Sequence, residues 1–211
     1  MENKNSKKII ITLVAIMAII LIVVLGYFVM IKLEQNKVEN KIEEIFNNLK
    51  SNEDNSAKQE VLDEIKSNAE LEDTENNAID YVVLLDKLNY SIVKNEVNFN
   101  DAKVVLDVTN KNMKKILGNY LVKAFNLAMA NVFSPTYSEE ETNEVLANYI
   151  KELVDSDEIE NVTTQVTLYM KKIDGEWIIK DDSKKELLRA ILPGFVEAVN
   201  EMNNSFDESA E

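Results

Sequence analysis

Among its 211 residues the sequence has no cysteine and no histidine, and only four glycines and two prolines. Each shortage excludes something. Without cysteine there is no disulfide, zinc–thiolate site, thiol nucleophile or lipid-modified cysteine anchor. Without histidine the commonest general base and metal ligand is missing. Scarce glycine and proline leave no long flexible linker. Positive charge is short as well: 23 Lys and Arg face 38 Asp and Glu, for a formal net charge of −15. That charge is unevenly spread. Residues 1–32 hold Lys4, Lys7, Lys8 and Lys32 against Glu2 alone, a net of +3, and the rest of the chain carries −18. An acidic body repels phosphate backbones, so no nucleic-acid partner is expected.

Apolar surface dominates the N-terminus. Ile9 to Ile31 reads IIITLVAIMAIILIVVLGYFVMI, 23 residues without a charge. As a helix it spans roughly 35 Å, enough to cross a bilayer with some tilt. A cleaved signal peptide is the alternative, but its apolar core runs only about 7–15 residues and ends at small residues. Here the run is longer and closes on bulky side chains, so residues 9–31 are expected to stay in the lipid bilayer as a single-pass anchor. Lys4, Lys7 and Lys8 before the span are nearly balanced by Lys32, Lys37 and Lys41 after it, so the lysine bias is weak. The short tail, residues 1–8, favours an N-terminus inside the cell membrane and a body, residues 32–203, outside it. Residues 204–211 read as a disordered tail.

The body reads as one α+β domain. Val38, Ile42, Ile45, Phe46 and Leu49 put an apolar stripe on a helix over 34–50. Two further stripes follow, Val61 to Ala69 and Ala78 to Leu85. The period then shortens to two. Tyr90 and Ile92 lead, through the turn Asn98-Phe99-Asn100-Asp101, to Val104, Leu106 and Val108, a hairpin joining 88–97 to 102–110. Asn110 or Asn112 caps a long helix whose apolar set runs from Met113 through Tyr120, Phe125 and Met129 to Val132 and stops at Ser134-Pro135. Ser138-Glu139-Glu140-Glu141 forms a capping box for a helix to about Leu153. The strand over 161–172 turns at Asp174-Gly175 into Glu176–Lys180. Lys184–Leu192 and a segment to about Met202, broken at Pro193-Gly194, close the domain.

Leu88–Ile92, Ala102–Met113, Val162–Leu168 and the run Asp174-Gly175-Glu176-Trp177-Ile178-Ile179 occur in an order that resembles the nuclear transport factor two-like superfamily. More narrowly, it resembles extracytoplasmic proteins of low-GC Gram-positive bacteria that are lumazine-binding-like or of unknown function. The resemblance covers roughly residues 35–195. It implies a cone in which a curved antiparallel sheet wraps a long helix, displayed outside the membrane.

Candidate chemistry is sparse. Enzymes of that superfamily place Asp with His or Tyr in the cone's pocket; here Asp107 and Glu96 are the candidate carboxylates on the sheet, each acceptable as a base only with a raised pKa. The plainer reading puts both on solvated positions, and no catalytic residue is assigned. Asp155–Glu160 resembles a calcium loop but fails its spacing, with Ile159 and Glu160 where an oxygen ligand and glycine belong. No metal or cofactor is expected, beyond a loose cation site in that loop. Tyr90, Tyr120, Phe125, Tyr169 and Trp177, with Tyr81, are candidate pocket-lining residues, though core packing explains their spacing equally well. Met113, Met129, Met170 and Met202 read as core fillers. The expected role is therefore non-catalytic binding of an envelope protein or a small apolar ligand. The alternatives are a scaffold subunit of a secretion- or conjugation-type assembly and, less favoured, a hydrolase or isomerase. Oligomeric state is open.

Overall fold

A computed structural model describes the backbone of residues 4–51, 82–134 and 137–207, and the side chains of 16–51, 82–134 and 137–201. Helix α1 runs uninterrupted over Lys4–Lys50, 47 residues. Neither proline nor glycine occurs after Gly26 within it, so nothing stops the apolar run from continuing into the amphipathic one. The N-terminal part, residues 16–30, is exposed along its whole length, as a lipid-facing span requires and a soluble core helix forbids. The C-terminal part is different. Val38, Ile42, Phe46 and Leu49 are at most 1% exposed. Burying each such side chain stabilises the fold by about 1.5–3 kcal/mol.

The sheet is four-stranded and antiparallel in the order β1 (Asn89–Asn98), β2 (Asp101–Lys111), β3 (Asn161–Ile173) and β4 (Glu176–Ile179). Val104, Leu106 and Val108 of β2 share the buried face with Val166, Leu168 and Met170 of β3, as the period of two predicts. In β1 the register slips between Ile92 and Lys94. This bulge leaves Val93 outside and moves the inward set from Tyr90 and Ile92 to Asn95 and Val97. The turns at 99–100 and 174–175 lie at one end of the sheet, where the Lys172 N–H donates to the Asn100 carbonyl at 2.8 Å. Asp174 (φ 51°) and Gly175 (φ 91°) both take the left-handed conformation of a type I′ hairpin.

Helices α2 (Met113–Phe133), α3 (Glu139–Asp155), α4 (Asp181–Ile191) and α5 (Phe195–Asp207) complete the domain. The sheet's inner face is covered by α1 against β1 and by α4 against β3 and β2; α2 packs on α3 and α5. The helix expected at the centre of a cone thus lies among other helices, and the sheet is open. The capping box is present: Ser138 Oγ accepts from the Glu141 N–H and the Glu141 carboxylate accepts from the Ser138 N–H. Asn112, not Asn110, caps α2. Helix α5 continues through Asp207, into the stretch read as a tail. The stripes at 61–69 and 78–81, and Tyr81, fall outside the described residues; Val83–Leu85 form a buried 3₁₀ turn.

Gly194 holds the break between α4 and α5. Its φ is +80°, and a Cβ there would sit 3.0 Å from the Lys114 Cβ. Gly194→Ala is expected to lower stability by about 1–3 kcal/mol, from left-handed backbone cost plus the close approach. A urea unfolding midpoint equal to that of the parent would show that this corner relaxes freely.

Candidate functional site

Glu34 is the first side chain of α1 beyond the apolar run to engage the domain. Oε1 accepts from Lys37 Nζ at 2.8 Å; Oε2 accepts from Lys172 Nζ at 2.7 Å and from the Trp177 indole N–H at 3.1 Å. The carboxylate is 14% exposed, and the Lys172 ammonium above all, then Lys37, holds its pKa down to about 2. Next to it the Gln35 amide donates to the Asn95 carbonyl, while the Asn95 amide donates to the Gln35 carbonyl, both at 3.0 Å, and to Glu39 Oε1 at 3.1 Å. One turn of α1 is thereby tied to β1, β3 and β4. Further along, Phe46 stacks on Tyr90 with ring centroids 4.1 Å apart. From residue 35 to 46 the helix rises about 16 Å, matching about 16 Å of strand from 95 back to 90. The helix that carries the apolar run is thus a structural member of the domain.

A second feature lies on α2. Its inward side presents Met113, Ile116, Leu117, Tyr120 and Leu127 to the core. At about 100° per residue, Val122, Phe125, Met129, Val132 and Phe133 fall on the opposite side. They are 62%, 64%, 40%, 74% and 81% exposed. A surface helix normally shows polar residues there, and a contiguous apolar stripe marks an interaction site.

The candidate pocket residues do not converge. Tyr90 is half-buried under Phe46, Tyr120 is in the core, and Trp177 is buried against Glu34 and below Lys172, whose Nζ lies 5.9 Å from the ring centroid. Phe125 and Tyr169 face outward, on α2 and on the outer side of β3. Met113 and Met170 are core residues as expected, but Met129 is exposed because the apolar set of α2 covers two sides of the helix rather than one. The side chain of Met202 is outside the described residues.

Asp107 sits on the outer face of the sheet and accepts from the Gln165 amide at 2.9 Å. Glu96 is exposed, and its pKa is lowered by the Lys94 ammonium, opposite to the shift a pocket base needs. The 155–160 loop is organised around a cation of the chain itself: Lys111 Nζ, 7% exposed as a residue, donates to the Ser156 carbonyl at 2.8 Å and the Ile159 carbonyl at 2.9 Å. The ammonium takes the carbonyls that a loosely bound cation would use. Among the described residues no three acidic side chains gather into a metal site.

The sequence signals for these features were present but local. Glu34 and Lys37 stand at i, i+3 on a helix, a spacing that says nothing of Lys172 or Trp177. Comparison of the chain with protein-family models, with curated proteins and with solved structures finds no match.

Proposed function

We propose that the chain is a single-pass membrane protein, N-terminus inside, whose acidic domain is displayed outside the cell membrane and acts by binding a protein of the envelope. The observation that carries this reading is the apolar stripe on α2, Val122 to Phe133, exposed on a domain whose other large helical apolar side chains beyond the span are mostly in the core. The rigid passage of α1 from the apolar run into the core supports display of that stripe at a set distance from the bilayer. A small apolar ligand is less favoured, because the aromatic candidates are scattered over separate surfaces. The likeness to nuclear transport factor two-like domains remains part of the proposal and rests on the motif order alone. The alternative of a scaffold subunit in a secretion- or conjugation-type assembly uses the same stripe, with another subunit as the partner. Catalysis by Asp107 or Glu96 finds no support in their surroundings.

A photoreactive residue at position 125 tests this in membranes containing the full chain. A discrete adduct is expected, and it should disappear in Val132→Asp. Because Val132 is 74% exposed, that substitution should leave the unfolding midpoint within about 0.5 kcal/mol of the parent. An adduct with a second copy of the chain would assign self-assembly. Absence of any adduct from 125 in native membranes would sink the binding reading.

A further inference from the structure

We infer that the β1–β2 hairpin tip is a second membrane contact, with Phe99 seated in the lipid interface beside the anchor helix. Phe99 is a bulky apolar residue in a turn flanked by asparagines, 67% exposed, and it holds a left-handed φ of 51°. A side chain of this kind rarely occupies that conformation, and a residue held so tends to serve a function. Its neighbour indicates which function. The Phe99 ring lies 6.3 Å from the ring of Tyr27, which belongs to the apolar run of α1. Of the roughly 35 Å in that run, about 30 Å suffices for the hydrocarbon core, so Val29 to Ile31 reach into the headgroup layer and Tyr27 and Phe28 sit at the hydrocarbon edge just inside it, the boundary that aromatic side chains prefer. The hairpin tip reaches back along α1 to the same level. Phe99 therefore extends the aromatic belt of the anchor from one helix to a helix and a hairpin.

The local charge suits a headgroup region. The acidic groups nearest the tip are neutralised within the chain, Asp101 by Lys180 at 3.0 Å and Glu34 by Lys172 at 2.7 Å, and Lys171 stands across the strand pair from Asp101. The neighbouring β3–β4 tip carries Asp174 and Gly175, beside a half-exposed Ile173, and offers no aromatic residue. Two contacts at one end fix the tilt of the domain, as one flexible stalk cannot.

The inference rests on α1 crossing the membrane, and the test separates the two. Since the chain has no cysteine, single labels are unambiguous. Full-length protein in phosphatidylcholine vesicles would carry a nitroxide at Phe99→Cys, at Asn100→Cys, at Asp157→Cys near the far end of the sheet, or at Ile20→Cys in the span. Collision rates with oxygen and with a water-soluble nickel complex report depth. The oxygen-to-nickel ratio at position 99 is expected to exceed that at 157 several-fold, with position 100, which keeps Phe99 in place, intermediate. Position 20 should lie deepest. Labels at 99 and 100 as water-accessible as 157, with position 20 still deep, would overturn the tip contact alone. A water-accessible position 20 would overturn the anchor and this inference with it.

Discussion

Asn110→Asp is expected to unfold the domain at neutral pH. The Asn110 side chain is fully buried and joins three segments that are distant in sequence. Its amide donates to the Leu84 carbonyl at 2.9 Å and the Ile191 carbonyl at 2.8 Å, and its oxygen accepts from the Lys111 N–H at 2.8 Å. A carboxylate at that position has no proton to donate, so two buried carbonyls lose their partners and a negative charge faces both. Each orphaned acceptor costs about 1–3 kcal/mol, and an uncompensated buried charge about 3–5 kcal/mol. The sum is comparable with the whole stability of a typical domain, about 5–15 kcal/mol. Asn110→Ala removes the donors without adding charge and should cost about 2–5 kcal/mol. Asn112→Ala, which removes a helix cap and an exposed hydrogen bond to Glu160, should cost about 1–2 kcal/mol. The carboxyl at 110 would have a folded pKa raised by burial and by the carbonyls, so the damage should be greatest above that pKa and ease as pH falls below it. Urea unfolding followed by circular dichroism orders the three variants. An order with Asn112→Ala the most damaging would mean the buried amide is not what joins the turn, the sheet and α4.

Glu34→Ala should also produce a large loss and report itself optically. The substitution strips Lys172 of its carboxylate and leaves the indole N–H of Trp177, a residue 3% exposed, without its acceptor. Trp177 is the sole tryptophan, so its emission should change as soon as the contact is lost. A fall of the Glu34 pKa from 4.5 to about 2 corresponds to at most about 3–4 kcal/mol. Lys37 is 56% exposed and well screened by water, which brings the expected loss to about 2 kcal/mol. Glu34→Gln keeps an acceptor for the indole and should lose about half as much. The pH dependence has a definite sign. Because the folded pKa lies below the unfolded one, the contribution is complete above about 4.5 and is lost as pH falls toward about 2. The gap in melting temperature between parent and Glu34→Gln should therefore narrow across that window. A gap independent of pH would show that charge at Glu34 is not what holds α1 to the sheet.

Local pattern carried much of this architecture. The hairpins, the box at Ser138 and the stop near Ser134 all arise from interactions within a few residues, where spacing and chemistry suffice; local spacing narrows the cap of α2 only to Asn110 or Asn112, and burial of Asn110 decides for Asn112. The bulge at Val93 could not be read that way. Val93 is as apolar as its neighbours, and only the pairing of Ile92 with Leu106 and Lys94 with Val105 makes it the extra residue. The candidate site was less legible than the fold. The second apolar side of α2 merged with the first into one long set, because periodicity cannot distinguish a stripe that meets the core from one that faces away.

The sequence by itself determined the membrane-length apolar helix, the split of charge between a positive N-terminus and an acidic body, the α+β class and the exclusion of cysteine and histidine chemistry. These depend on composition and on periods of 3.6 and 2, which are properties of adjacent residues. Tertiary structure decided the rest. It made the C-terminal half of the long apolar helix part of the core, turned Lys111 into the cation of the 155–160 loop, brought Glu34 to Lys172 and Trp177, and set Phe99 beside Tyr27. Each of these joins residues separated by tens of positions, and their meeting depends on how the sheet and helices pack, which no local spacing encodes.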